Sequence, residues 1–181
     1  MTTRRDSRRC ARARQNLDRA PRAVQHEAMS AARDLTLTPI GLLRTPFHTR
    51  ADCPRNTRAL DPAPLCHAEV WPAFRAGLAS LDGFSHLILL YWLDRAGSVD
   101  LVFTPPFHTA PRGLFATRAP ARPNPIGLAV VRFEGMAGEG VLAVRNLDCL
   151  DGTKLLDIKP YLRTTDAEPA ARMGWLAPPG G

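Results

Sequence analysis

The chain has 181 residues, of which 45% are hydrophobic, and it carries a formal net charge of +7. This length fits one domain with a substantial core, and the hydrophobic fraction excludes a chain that is disordered throughout. The longest apolar run, Leu87 to Leu93, is too short to span a membrane and no hydrophobic signal region is visible, so we expect a cytoplasmic protein.

The first 28 residues carry most of the net charge. They contain eight arginines against three acidic residues, and therefore +5 of the total +7. Few large apolar residues accompany this charge, so residues 1–34 are predicted to form a disordered basic extension of a domain at residues 35–181. Two alternatives stay open, namely an upstream extension of a gene whose natural start is Met29 and an arm that holds a nucleic-acid backbone by charge.

The first half of the predicted domain contains two strands, a long loop and one helix. Residues Leu35 to Thr45 alternate apolar and polar side chains and predict an opening strand. Pro46 to Pro64, rich in Pro, Arg, Asn and Asp, predicts a long loop. Ala68 to Leu81 has apolar residues at helical spacing with Pro72 in the first turn, and predicts a helix. The nearly continuous apolar run Phe84 to Leu93 predicts a buried strand.

Short strands dominate the second half. The predicted strands are Val99 to Thr104, Leu114 to Thr117, Leu128 to Phe133, Val141 to Leu147 and Leu155 to Ile158. Gly135 to Gly140 is predicted as a hairpin turn, and Glu168 to Gly181 as a Pro/Gly-rich tail. About seven strands without alternating βαβ units predict a mainly β fold, a small antiparallel β-barrel with one or two short helices.

Several common functional signatures are absent from the sequence. No Walker A loop, no GxGxxG after a strand, no HExxH and no GxSxG occur. The cysteines have no paired spacing, which predicts reduced thiols and no metal site; they are Cys10, Cys53, Cys66 and Cys149. His86 lies within an apolar strand and is interpreted as a hydrogen-bonded core residue rather than a catalyst.

The segment Gly113 to Gly127, GLFATRAPARPNPIG, is the most distinctive part of the chain. Three prolines restrict its backbone: Pro120, Pro123 and Pro125. Three polar side chains project from this stiff loop: Arg118, Arg122 and Asn124. Polar groups held in fixed directions are what the binding of an anionic or polar ligand requires.

Two further positions are candidates for ligand contact. Asp151-Gly152-Thr153 predicts a tight turn, because Asp accepts from the following amides and Gly supplies a positive φ. The simplest interpretation is that this turn only connects two strands. The alternative is that its backbone amides and carbonyls also contact a small ligand. Asp94 and Arg95 directly follow the buried strand, and strand ends are where binding sites are built.

Five segments in order resemble the TrmO family, also called TsaA-like or YaeB-like, of S-adenosylmethionine-dependent tRNA methyltransferases. They are PIGLLRTPF (Pro39–Phe47), CPRN (Cys53–Asn56), LDGFSHLILLYWL (Leu81–Leu93), GLFATRAPARPNPIGLAVV (Gly113–Val131) and LDGTKLLDIKPYL (Leu150–Leu162). The resemblance covers roughly residues 36–175. It implies a small β-barrel, a homodimer with S-adenosyl-L-methionine near the subunit interface, and N6-methylation of threonylcarbamoyladenosine at position 37 of tRNA, beside the anticodon.

The resemblance also implies a cofactor site built from several loops. Its implied cofactor-binding residues are Pro54, Arg55, Asn56, Asp94, Arg95, Arg118, Leu128, Leu150, Asp151, Gly152 and Thr153. Asn56 replaces a family Gln, and Asp94 lies where a His is common. Methyl transfer to nitrogen depends mainly on alignment, so no catalytic residue is assigned, and Arg122 and Asn124 are candidates for positioning.

The chain departs from the longer family members at its C-terminus. Those members carry an additional domain after the KPY segment, whereas only Arg163 to Gly181 follow here. Two alternatives to a tRNA methyltransferase therefore stay open. One is a methyltransferase of the same fold with a small-molecule acceptor, and the other is a non-enzymatic RNA-binding β-barrel.

Overall fold

A computed structural model describes residues 36–56, 58, 60–106 and 108–177. The predictions for residues 1–34, for Cys10 and for the last four residues of the tail lie outside the described residues. From Thr38 onwards the described residues belong to one unit by their internal contacts.

Eight β-strands form the described fold. They are β1 (Gly41–Arg44), β2 (Cys66–Val70), β3 (His86–Trp92), β4 (Val102–Phe103), β5 (Arg112–Gly113), β6 (Ile126–Gly138), β7 (Val141–Arg145) and β8 (Thr153–Pro160). Six of them close into an antiparallel barrel in the order β1-β2-β7-β6-β3-β8, and β8 pairs back with β1. Strands β4 and β5 form a separate two-stranded sheet. The predicted small antiparallel β-barrel is confirmed.

Inward-facing side chains of the barrel strands form the core. In β3, Leu87, Leu89 and Tyr91 are buried and alternate with half-buried residues. The same alternation buries Leu142 and Val144 of β7, because side chains of a strand point to its two faces in turn. The apolar run at 84–93 is thus the predicted strand, although only one of its faces is fully buried.

Strand β8 is irregular opposite the end of β3. Leu90 pairs with Asp157 but Tyr91 pairs with Leu155, so Leu156 has no opposite residue. Such a bulge reverses the inward and outward alternation within the strand. It allows both Leu155 and Ile158 to pack on the core, although they are three residues apart.

The predicted helix at Ala68 to Leu81 is wrong over its first residues. Cys66–Val70 forms β2, in which Cys66, Ala68 and Val70 are buried at period two. A 3-10 helix follows at Pro72–Leu78 and buries none of its residues. Over so few residues, the apolar positions fit the period of a strand as well as that of a helix. The segment forms a strand because it pairs with both β1 and β7.

Other boundaries also differ from the predictions. Leu114–Ala116 is a 3-10 turn instead of the predicted strand. Leu114 is its only buried residue, so the segment lacks the alternate buried positions of a barrel strand. Among residues 36–45, the described part of the predicted opening strand, only Gly41–Arg44 is a strand, and the predicted strand at Val99 to Thr104 is reduced to Val102–Phe103. The predicted turn at Gly135 to Gly140 is mostly strand, since β6 continues to Gly138.

Two short helical segments follow β8, at Arg163–Asp166 and Gly174–Leu176. The second segment is attached to the β4–β5 region, because Trp175 Nε1 donates to the Ala116 carbonyl at 2.8 Å. Among the helices of the described chain, none has the length and hydropathy needed to cross a membrane.

Candidate ligand-binding cleft

A cleft of about 1150 Å³ opens at one end of the barrel. Strands β3 and β6 are antiparallel, so the end of β3 lies beside the beginning of β6, and Tyr91 pairs with Gly127. Loop residues before β2, within the proline-rich segment and before β8 complete the walls. The fold therefore joins segments that are far apart in sequence.

Ten of the thirteen residues singled out from the sequence line this cleft. They are Pro54, Arg55, Asn56, Asp94, Arg95, Arg118, Arg122, Leu128, Leu150 and Thr153. Asn124, Asp151 and Gly152 are not among the lining residues. The exposed Asn124 instead accepts a hydrogen bond at its backbone carbonyl from Ile126 N, at 2.8 Å.

Asp151 and Gly152 form a turn that is tied to the end of β1. Thr45 N donates to Asp151 Oδ1 at 3.1 Å, and Asp151 N donates to the Phe47 carbonyl at 2.7 Å. Gly152 has the predicted positive φ, 74°, and its amide donates to the Leu43 carbonyl at 2.9 Å. The turn thereby holds the segment before β8 against the barrel.

Asp94 and Arg95 connect the end of β3 to the same turn. Arg95 Nη2 donates to the Asp151 carbonyl at 2.7 Å. Asp94 Oδ2 accepts from Lys154 Nζ at 2.8 Å, and Asp94 Oδ1 lies 3.9 Å from Arg95 Nε. Their side chains therefore both line the cleft and join two of its walls.

The proline-rich loop is fixed by hydrogen bonds at several points. Leu93 N donates to the Pro125 carbonyl at 2.7 Å, which attaches the loop to β3. Arg122 Nη1 donates to the Thr117 carbonyl at 3.1 Å and to that of Ala119 at 3.4 Å, so this guanidinium braces the loop itself. Arg118 instead reaches β6.

Arg118 Nη2 donates to the Leu128 carbonyl at 3.1 Å. A guanidinium has five N–H donors, so this one bond orients the group and leaves donors for a ligand. Arg122 uses one nitrogen, Nη1, for its two loop carbonyls, so both guanidinium groups keep N–H donors for an anionic group.

A buried tyrosine and an aspartate form a pair that the sequence did not reveal. Tyr91 is 3% exposed, and its hydroxyl donates to Asp148 Oδ1 at 2.8 Å. Burial, together with the Asp148 charge, raises the pKa of Tyr91, so the hydroxyl keeps its proton. Both residues line the cleft. In the sequence, this pair was indicated only by the inward position of Tyr91 near the end of a predicted strand and by the acidic Asp148 shortly before the Asp-Gly turn.

Two free cysteines also line the cleft, Cys53 and Cys149. Burial raises the pKa of Cys149 to about 12, so its thiol is protonated near neutral pH. His86 lies outside the lining, and its Nδ1 is 2.9 Å from Ser85 Oγ, so the expected hydrogen bond is present. The predicted core position is wrong, because His86 is half-buried on the face of β3 opposite to the inward Leu87 and Leu89. Within the described chain, no cluster of three or more His, Cys, Asp or Glu side chains is arranged to hold a metal ion.

The cleft is strongly basic. Its lining includes two aspartates, Asp94 and Asp148, and six arginines: Arg50, Arg55, Arg58, Arg95, Arg118 and Arg122. Arginine forks match carboxylates and phosphates. The arrangement suits a ligand with anionic groups, and the exposed Leu128 adds an apolar surface.

These features define a small barrel with a basic binding cleft at its strand ends. Residues 42–167, well over half of the chain, match the tRNA-methyltransferase O N-terminal domain family. The chain belongs to this family, which confirms the resemblance expected from the sequence.

The most informative similarities are to three proteins. A probable S-adenosyl-L-methionine-binding protein of Pyrococcus abyssi is 45% identical over 138 residues, which cover 76% of this chain and 74% of that relative. The crystal structure of TrmO from Pseudomonas aeruginosa has a TM-score of 0.66 at 37% identity, over 81% of this chain and 64% of that one. A mouse tRNA (adenine(37)-N6)-methyltransferase is 32% identical over 82% of this chain, and the match covers 35% of the mouse protein.

Proposed function

We propose that the protein is an S-adenosyl-L-methionine-dependent methyltransferase that acts on N6 of threonylcarbamoyladenosine at position 37 of tRNA. Family membership and the names of the relatives support the reaction class. The observation that carries the proposal is the convergence of ten expected site residues, from separate segments, on one cleft. The adenosine acceptor rests on the similarity to the mouse enzyme.

The residues of the cleft fit the chemistry of S-adenosyl-L-methionine. Its carboxylate suits the guanidinium of Arg118, which one hydrogen bond to β6 orients. Its adenine ring suits the apolar surface of Leu128, which is 44% exposed. Its sulfonium suits carbonyl or carboxylate oxygens, and Asp148 supplies a carboxylate. When bound, the cofactor supplies the methyl group.

The chain's own contribution to the reaction is alignment. Methyl transfer requires the acceptor nitrogen, the methyl carbon and the sulfur to be in line, and fixed groups lower the entropic part of the barrier. Arg122 holds the proline-rich loop through the carbonyls of Thr117 and Ala119, and Leu93 holds it at its far end. This loop is therefore a rigid wall against which an acceptor is positioned.

An exposed aromatic ring beside the cleft supports an RNA acceptor. Phe115 is 75% exposed, and the Arg122 guanidinium lies 5.6 Å from its ring centroid. Proteins stack unpaired bases on aromatic rings and guanidinium planes, and an anticodon loop offers such bases at modest cost. The arginines of the cleft are suited to the adjoining phosphates. A small-molecule acceptor remains the second candidate, because only +2 of the net charge lies beyond residue 28.

A methyl-transfer assay with a labelled cofactor distinguishes the acceptors. The substrates are threonine tRNA that carries threonylcarbamoyladenosine, the same tRNA without that modification, and the free modified nucleoside. We expect methylation of the modified tRNA alone, located by mass spectrometry of its nucleosides. Methylation of the free nucleoside but not of tRNA would contradict the RNA acceptor, and RNA binding without cofactor binding would favour the non-enzymatic barrel.

Two variants test the contact with RNA in the same assay. Phe115→Ala is expected to raise the KM for tRNA about tenfold, because one base stacked on an aromatic ring contributes about 1–3 kcal/mol. Phe115→Tyr is expected to restore it. Met136→Ala, a truncation of another exposed apolar side chain, serves as the control. An unchanged KM for Phe115→Ala would exclude stacking on this ring.

The proposal also includes a homodimer in the cytoplasm. Leu101, which precedes β4, and Val102, its first residue, are 61% and 52% exposed. Adjacent exposed apolar side chains of this size favour burial against a partner. The three described cysteines are free, which agrees with a reducing compartment.

A further inference from the structure

The arginine-rich cleft contains one carboxylate that the described side chains do not neutralise. Of its two aspartates, Asp94 is paired with Lys154 Nζ at 2.8 Å and lies near Arg95 Nε. Within the described part of the chain, Asp148 forms no ion pair, and its carboxylate accepts a hydrogen bond from Tyr91. A carboxylate at the wall of a cleft that is not held in a contact ion pair is available to a cationic group of a ligand.

The position of Asp148 is fixed from both sides. Its chain neighbours Leu147 and Cys149 are 1% and 2% exposed, and the Cys149 carbonyl accepts from Thr45 Oγ1 at 2.8 Å. Tyr91, which holds the carboxylate, packs so closely against Gly127 that a Cβ there would lie 2.1 Å from the ring. The negative charge therefore has a defined place in the wall of the cleft.

We propose that Asp148 faces the sulfonium of bound S-adenosyl-L-methionine and that Tyr91 holds its carboxylate in that position. This inference rests on the proposed function. The cofactor combines an anionic carboxylate, which suits arginine, with a cationic sulfonium, which six arginines repel. Asp148 supplies the opposite charge that the sulfonium needs.

The consequence is selectivity between the cofactor and its product. S-adenosylhomocysteine lacks the transferred methyl group, and its sulfur is a neutral thioether. The Asp148 carboxylate therefore attracts the cofactor and gains little from the product. The cleft then prefers the ligand that carries a methyl group, which favours release of the product after transfer.

Calorimetric titration of both ligands tests this assignment without an acceptor. Asp148→Asn keeps the shape of the side chain and an oxygen for the Tyr91 hydroxyl but removes the charge. We expect the preference for S-adenosyl-L-methionine over S-adenosylhomocysteine to fall about tenfold, the factor that corresponds to 1.4 kcal/mol. The loss is expected in the affinity for the cofactor, with little change in that for the product.

Two variants separate the charge from other effects. Tyr91→Phe removes the hydrogen bond that positions the carboxylate but keeps its charge, so the preference is expected to fall by less than in Asp148→Asn, and an unchanged preference would exclude the positioning role of Tyr91. Asp157→Asn removes the same charge outside the cleft, where Asp157 pairs with Lys159, and is expected to leave both affinities unchanged. Melting curves verify that each variant is folded.

The outcomes separate this inference from the proposed function. Failure of the folded wild-type protein to bind the cofactor would contradict the proposed function itself. Normal binding by the wild type, with Asp148→Asn weakening both ligands equally or neither, would overturn the role of Asp148 alone.

If Asp148→Asn does not fold, the affinities of the wild-type protein for two ligands provide the test. The first ligand is an analogue with an ammonium group in place of the methylsulfonium, and the second is S-adenosylhomocysteine. The analogue is expected to bind more tightly, and equal affinities would contradict the assignment.

Discussion

At the scale of the residue, Gly127 allows the wall of the cleft to form. A Cβ at this position would lie 2.1, 2.5 and 2.7 Å from three atoms of the Tyr91 ring. Real Cβ atoms do not approach so closely, so any side chain here displaces the ring and with it the hydroxyl that binds Asp148. The position requires glycine because of close contact.

We expect Gly127→Ala to lower the free energy of unfolding by about 1–3 kcal/mol, the usual cost of overpacking a core. The affinity for S-adenosyl-L-methionine is expected to fall as well, because Tyr91 moves. Urea denaturation and calorimetry measure the two effects. Gly77→Ala is the matched control, since a Cβ at Gly77 meets nothing within 4 Å. Equal stability of both variants would show that the contact with Tyr91 relaxes freely.

Residue types alone predicted part of the site and missed another part. Arg118 and Arg122 were found because a stiff loop with several prolines is unusual in sequence. Tyr91 and Asp148 were missed because they are 57 residues apart and meet only through the barrel. The residue types at Asp151 and Gly152 predicted the turn that the structure shows, whereas the resemblance implied cofactor contacts for both residues, and neither is among the residues that line the cleft.

At the scale of the element, the bulge in β8 lies opposite Tyr91. Leu156 is the extra residue, and the shift falls between the pairings of Leu90 and Tyr91. Bulges bend a strand and redirect nearby side chains, and they are frequent beside binding sites. The bulge is therefore positioned to set the direction in which Tyr91 meets the cleft.

Deletion of Leu156 tests this role. Without it, Leu155 and Ile158 remain inward in a regular strand, so the barrel is expected to fold with a cooperative melting transition. Affinity for S-adenosyl-L-methionine is expected to fall about tenfold, which corresponds to 1.4 kcal/mol. Cofactor binding as tight as that of the wild type would show that the bulge does not orient the cleft.

The elements that the sequence predicted best are those with long, unambiguous patterns. The strand at 84–93 is of this kind, and its position is nearly as predicted. Cys66–Val70 was misread because five residues fit a period of two as well as one of 3.6, and the choice depends on β1 and β7. Short strands such as β4 exist only through pairing, which local sequence does not encode.

At the scale of the whole molecule, the class of fold followed from the number of strands and the missing βαβ units. The closure of the barrel did not, because three of its six pairings, β2 with β7, β3 with β8 and β8 with β1, join strands that are not neighbours among the barrel strands in sequence. The proposed dimer belongs to this scale too. We expect sedimentation equilibrium to give twice the monomer mass of 19.8 kDa at micromolar concentration.

A double substitution tests the surface that the dimer would use. Leu101→Ser with Val102→Ser is expected to shift the protein towards the monomer, because the apolar surface that burial would remove from water is reduced. Leu65→Ser, at an exposed apolar residue of the loop before β2, is the control. A wild-type monomer at all concentrations would contradict the dimer, and a dimer that survives the double substitution would exclude this surface.

The most direct test of cofactor binding in this cleft is calorimetric titration of the full chain with S-adenosyl-L-methionine, beside Arg118→Ala. We expect binding in the micromolar range, which corresponds to a binding free energy of about 8 kcal/mol. Arg118→Ala is expected to weaken it at least tenfold, because the cleft loses the guanidinium that Leu128 orients. A folded wild-type protein that does not bind the cofactor, or an Arg118→Ala variant that binds it equally well, would contradict the assignment of this cleft.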